Sequence, residues 1–89
     1  MPHGTRIEQT LYEIRRQVLL IRTEIRLIHS EGRSLDAQTA RAMTSELEDG
    51  EIIMEFLCRS ATATHLGDIL DLRRTTRTLL HEIKGMTAF

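Results

Sequence analysis

Five cationic side chains, Arg73, Arg74, Arg77, His81 and Lys84, recur at spacings that put them on about a third of one helix circumference. A stripe of that kind has two chemical uses. It can hold phosphates of DNA, RNA or a nucleotide, or it can pair with carboxylates. The carboxylates are present on the preceding segment, where Glu48, Glu51 and Glu55 share one side of a second helix. An acidic helix and a basic helix in one small chain most simply face each other. No aromatic residue or glycine-rich loop accompanies the arginines, as a nucleic-acid surface would use. The net charge of -1 gives no long-range pull on a polyanion. The first expectation is therefore ion pairing of Arg73, Arg77 and Lys84 with Glu48, Glu51 or Glu55, within or between subunits. The second is an anion or partner contact through Arg73, Arg74, Arg77 and Lys84.

The other reactive residue types are scattered. His3, His29, His65 and His81 fall on different segments, and Cys58 has no second cysteine within reach. No Glu-x-x-His or Cys-x-x-Cys pair occurs, so neither a di-iron nor a zinc site is expected, and no cofactor. A lone cysteine in an apolar helix belongs to a core and suits a reducing compartment. No nucleophile–base pair or phosphate-cradling loop points to catalysis, so the expectation is a protein that is not an enzyme. Ala63, Leu66 and Gly67 have the offsets of a helix-turn-helix. Asp68 and Arg73, however, stand where a recognition helix must be apolar.

The run Glu13-Ile14-Arg15-Arg16-Gln17-Val18, with Ile21, Glu24 and Ile25, resembles the first helix of the all-helical chorismate mutases. The resemblance covers some fifteen residues. It implies an anionic substrate held between arginines of a dimeric helical enzyme. The family's aspartates after the Arg-Arg-Gln stretch are Leu19 and Arg22 here, and its active-site lysine has no counterpart, since Lys84 is the only lysine. The family's chemistry therefore does not carry over. A small helical enzyme for an anionic substrate remains the third reading.

The elements that would position these residues are legible in the apolar spacing. Ile7, Leu11, Ile14, Val18, Ile21, Ile25 and Ile28 alternate by four and three, which predicts one helix over about 5–31 packed along another. Thr5 with Glu8 forms a capping box at its start, and Gly32 a left-handed stop. Ser34 is the expected cap of a second helix over about 35–61. Its inner face is Ala40, Met43, Leu47, Gly50, Met54, Leu57 and Ala61. Gly50 on that face marks a close approach or a weak point. A third helix over about 66–84 carries Ile69, Leu72, Thr76, Leu79 and Ile83, flanked by Leu66, Leu70 and Leu80. Thr62, Thr64 or Asp68 would cap it and Gly85 end it.

The first helix is apolar on two sides. Tyr12, Leu19, Leu20 and Leu27 lie opposite its inner face, where a helix with one wet side would be polar. Two short neighbours cannot cover both sides, but a second subunit can. A chain of 89 residues would also be marginal alone. Hydrophobic residues at 40% and charged residues at 28% are those of a soluble domain. Eleven of the twelve basic residues are arginine, which GC-rich bacterial coding explains without a functional role. No apolar run approaches membrane-spanning length or a secretory core. These observations predict an all-α three-helix bundle in one domain, cytoplasmic, assembled through Tyr12, Leu19, Leu20 and Leu27 into a homo-oligomer. The function they fit is a protein-binding or regulatory module, such as an adaptor, an anti-activator, a chaperone-like protein or an assembly subunit. Nucleic acid ranks behind a protein partner, and a membrane is not expected.

Overall fold

The computed structural model describes the backbone of residues 4–60 and 63–87. Within them the chain forms three helices, α1 (Gly4–Ser30), α2 (Ala37–Ser60) and α3 (Ala63–Thr87), and no strand. The all-α three-helix bundle expected from the sequence is what forms. The molecule measures 46 × 19 × 19 Å, so its long dimension is close to one helix length and the helices lie side by side.

The register of the bundle follows from its contacts. Gly50 of α2 approaches Ile14 of α1, while Gln17 and Glu24 share a groove with Thr39 and Glu46, so α1 and α2 run antiparallel. Glu51 meets Arg77, and Ala37 shares a groove with Lys84, so α2 and α3 are antiparallel too. The first and third helices are therefore parallel, with Glu8 beside His65 near one end and His29 near Met86 at the other.

Burial follows the apolar spacing. Leu11, Ile14, Val18, Ile21 and Ile25 of α1 are buried, with Ile7 and Ile28 packed at the margins. Ala40, Met43, Leu47 and Met54 of α2 join them, and Ile69, Leu72, Leu79 and Ile83 of α3 complete the core. Thr76 is fully buried among these residues, but its hydroxyl donates to the Leu72 carbonyl at 2.8 Å, so no polar group is orphaned there. Both aromatic side chains described, Tyr12 and Phe56, lie outside the core.

The link between α1 and α2 is fixed at both ends. Gly32 adopts φ +68°, Arg33 N–H donates to the Ile28 carbonyl and Gly32 N–H to the His29 carbonyl, each at 3.1 Å. This is a Schellman stop, and it needs a residue without a Cβ penalty at that φ. At the start of α2 the cap is Asp36, not Ser34. Thr39 N–H donates to one Asp36 carboxylate oxygen at 2.8 Å and the Thr39 hydroxyl to the other at 2.7 Å. The choice is decided by Leu35. It is buried just before the cap, and Ala40 is buried four residues after it, in the positions of a hydrophobic staple.

Three other boundaries differ from expectation. The first helix takes in Thr5, which is therefore not its cap. The third begins at Ala63, so Thr64 and Asp68 lie inside it, while Thr62 and Ala61 fall outside the described residues. Gly85 does not end α3. Its φ is not positive, and the helix continues through Met86, which packs against the core. Apolar contact outweighs the roughly 1 kcal/mol that a helical glycine costs.

Two predictions follow from this packing. A Cβ built on Gly50 would sit 3.5 Å from Ile14 Cγ2, an ordinary contact. Gly50→Ala should therefore stabilise the bundle by up to about 1 kcal/mol in denaturant titration. Ile21→Ala in the same assay should cost about 2–5 kcal/mol.

The Asp36 cap should show in the pH dependence. The Thr39 N–H, and after it the Thr39 hydroxyl, hold the Asp36 carboxyl below its ordinary value of 3.8. A lowered folded value means that the stabilisation is full above the unfolded value and disappears as pH falls through the folded one. Asp36→Ala should lower Tm at pH 7, and the gap from the unsubstituted chain should narrow below about pH 3.8.

Candidate interaction surface

Because α1 gives one face to the core, its opposite face is left in water. Tyr12 is 64% exposed, Leu20 60%, Leu27 53% and Leu19 39%. These are the four residues singled out by position, and none belongs to the core. Tyr12, Leu19 and Leu20 line a shallow depression of about 300 Å³ together with Arg15, Arg16 and Thr23. Its walls are apolar, and the arginine stems extend them. A depression built on one helix encloses nothing, but a flat partner surface can lie along it.

A second apolar group lies on the last turns of α2. Ile52, Ile53 and Phe56 are all exposed, Phe56 by 68%. The Arg59 guanidinium stands 5.8 Å from the Phe56 ring centroid, within cation–π range, and is 3.7 Å from Glu55. Leu66 and Leu70, near the start of α3, are exposed as well. Sequence reasoning treated α2 as a helix with an inner apolar face and an acidic outside, and missed Ile52, Ile53 and Phe56. The signal was their place off the inner row of Gly50, Met54 and Leu57.

The cationic stripe of α3 does not act as one surface. Arg77 Nε donates to Glu51 Oε1 at 3.3 Å, as expected. Among the described residues Arg73 makes no ion pair. It is half-buried, and its Nε is shut off from water without an acceptor. Lys84 has none among the described residues either, although it shares a groove between α2 and α3 with Glu48 and Arg41. Glu55 pairs within its own helix with Arg59 instead. Within one chain, and among the described residues, the expected set is thus one pair. The exposed Arg77–Glu51 contact contributes well under about 1 kcal/mol.

Arg74, adjacent to Arg73 in sequence, turns to the other side of α3. It lines a groove of about 240 Å³ between α1 and α3 with Arg22, Arg26, Thr75, Thr78 and Glu82. Among the described residues these three arginines have no carboxylate partner within ion-pair distance. This groove brings arginines of α1 and α3 together, as an anionic ligand would require, with Glu82 as the opposing charge.

The remaining candidates stay separate. Cys58 is half-buried against the core. His65 Nε2 lies 3.9 Å from Glu8. Among the described residues no group of three or more His, Cys, Asp or Glu could hold a metal ion. No described helix is long and apolar enough to cross a membrane. Ala63, Leu66 and Gly67 all lie within α3, so the turn that a helix-turn-helix needs is not there. The chain matches no protein-family model, no curated protein and no solved structure.

Proposed function

We propose that this chain is a small non-enzymatic helical module that associates with itself and works by binding another protein. The observation that carries the reading is the exposed apolar face of α1, Tyr12, Leu19, Leu20 and Leu27, on a helix whose other face already fills the core. Four large apolar side chains along one exposed helix are a binding surface or an aggregation liability. Chain length favours binding, since so small a bundle gains from burying more surface. Ile52, Ile53 and Phe56 lie on a different helix and remain available to a protein partner when α1 is covered.

Light scattering at micromolar concentration tests the first half. The expected mass is a multiple of 10.2 kDa. Leu20→Glu with Leu27→Glu should shift it to the single-chain value while circular dichroism keeps the helical signal, because neither residue is in the core. A clean single-chain mass for the unsubstituted protein overturns the reading.

The groove lined by Arg22, Arg26 and Arg74 favours a second reading, a regulator that binds nucleic-acid phosphates. Titration with duplex DNA at about 50 mM salt separates the two, since phosphate binding is strongest at low salt. The self-associating module predicts no binding at micromolar protein. Micromolar binding lost in Arg26→Ala with Arg74→Ala would make the second reading the correct one.

A further inference from the structure

If α1 pairs with a second copy, the charges beside its apolar face decide the direction. On the side toward α3 the face is bordered by Glu8, Arg15 and Arg26. Glu8 reaches His65 of α3, and Arg26 shares a groove with Arg74. Arg15 lies two helical turns after Glu8 and three before Arg26, which puts it on the same border. On the side toward α2 the border is Arg6, Glu13 and Glu24. Glu24 shares a groove with Thr39, Ala42 and Glu46, and Glu13 and Arg6 lie three and five turns before it. All six side chains are exposed. The two borders are opposite in sign at each level. Arg6 matches Glu8, Glu13 matches Arg15 and Glu24 matches Arg26, always two residues apart.

We propose that the outer face of α1 packs against the same face of a second copy, with the two helices parallel and in register. This rests on the self-association proposed above and adds its geometry. A two-fold axis along the helices sets the α3-side border of one copy against the α2-side border of the other. Arg6 then lies opposite Glu8 of the second copy, Glu13 opposite Arg15 and Glu24 opposite Arg26. Each pair is offset by about 3 Å along the axis, and each occurs twice.

The antiparallel alternative sets each border against itself. With the apolar residues overlapped about Leu19 and Leu20, Arg15 falls beside Arg26 of the second copy and Glu13 beside Glu24, each twice. One residue opposes the parallel choice. Arg16 lies mid-face and meets its own copy there, whereas in the antiparallel pair it would meet Thr23. A charged residue at the centre of a helix pair lowers stability, but its long stem can carry the charge to the rim. The borders outnumber it. From Tyr12 to Leu27 the face is about 23 Å long and about 10 Å wide, well short of the roughly 800 Å² per partner of a standard interface. The apolar contact alone gives a weak pair, so the border charges settle direction.

Two measurements on the full chain test the direction. In sedimentation, Glu13→Arg should raise the dimer Kd about three- to tenfold, because it sets Arg against Arg15 of the second copy. Glu13→Arg with Arg15→Glu should restore it. An antiparallel pair gives the opposite sign, since Glu13→Arg would then face Glu24 and tighten association. In a Cys58→Ala background, Gln9→Cys alone and Ser30→Cys alone should each form disulfide-linked dimers under mild oxidation. If neither does, and a mixture of the two cross-links, the pair is antiparallel and the inference is wrong. Dimers that cross-link in none of these combinations place the interface elsewhere and also overturn it. A monomer by scattering overturns the self-association itself.

Discussion

Each helix of this bundle has only two neighbours, and that sets what the rest of the structure can do. In a molecule 19 Å across, side-by-side helices can hide only the side that each turns inward. The inner rows of α1, α2 and α3 fill that space with aliphatic side chains, Leu47, Met54, Ile69, Leu79 and Ile83 being almost wholly shut off from water. Every further apolar side chain must lie outside. The exposure of Tyr12, Leu20 and Phe56 is thus a consequence of the architecture, not a local packing fault. The fold cannot cover them without a further helix.

The same constraint explains how the ends of the helices are set. The connection from α1 to α2 is short, and Leu35 in it is buried. To bring Leu35 under the bundle, α1 must stop sharply at Gly32 and α2 must start directly after Leu35. Asp36 caps α2 for that reason, although Ser34 is as good a cap by type. At the far end of α3 the logic runs the other way. Met86 still has core to cover, so the helix passes through Gly85.

How much was legible depended on whether a feature is set within one helix or between helices. The inner rows depend only on helical periodicity, and residues such as Ile14, Leu47 and Leu79 could be assigned from spacing alone. The outer face of α1 was legible for the same reason, as the complement of its inner row. Ile52, Ile53 and Phe56 were equally available to that argument but were hidden by the glutamates among them. Of the ion pairs only Arg77 with Glu51 was legible, because the pairs depend on how α3 is rotated against both neighbours. Arg73 and Arg74 are adjacent in sequence, yet one is half-buried and the other lines the groove with α1. Only Arg77 stands where Glu51 of α2 can reach it. A stripe drawn on a single helix cannot anticipate that division.

Fold and association are linked in a bundle of this size. The inner row of α1 and its outer face are held by one rigid helix, so whatever orders the helix presents both. Contacts that hold α1 straight, such as the Schellman stop at Gly32 and the packing of Ile14 against Gly50, also keep Tyr12, Leu19, Leu20 and Leu27 in line. Conversely, a partner that binds only the folded chain stabilises the bundle by RT ln(1 + [L]/Kd), where [L] is the free partner concentration. A partner present at about a hundred times its Kd adds about 2.7 kcal/mol, a large share of the roughly 5–15 kcal/mol by which native domains are stable. If a second copy covers the outer face of α1, as proposed above, that face contributes to the stability of the chain as well as to its association. A chain short of core can place large apolar residues there at little risk when a second copy is at hand to cover them.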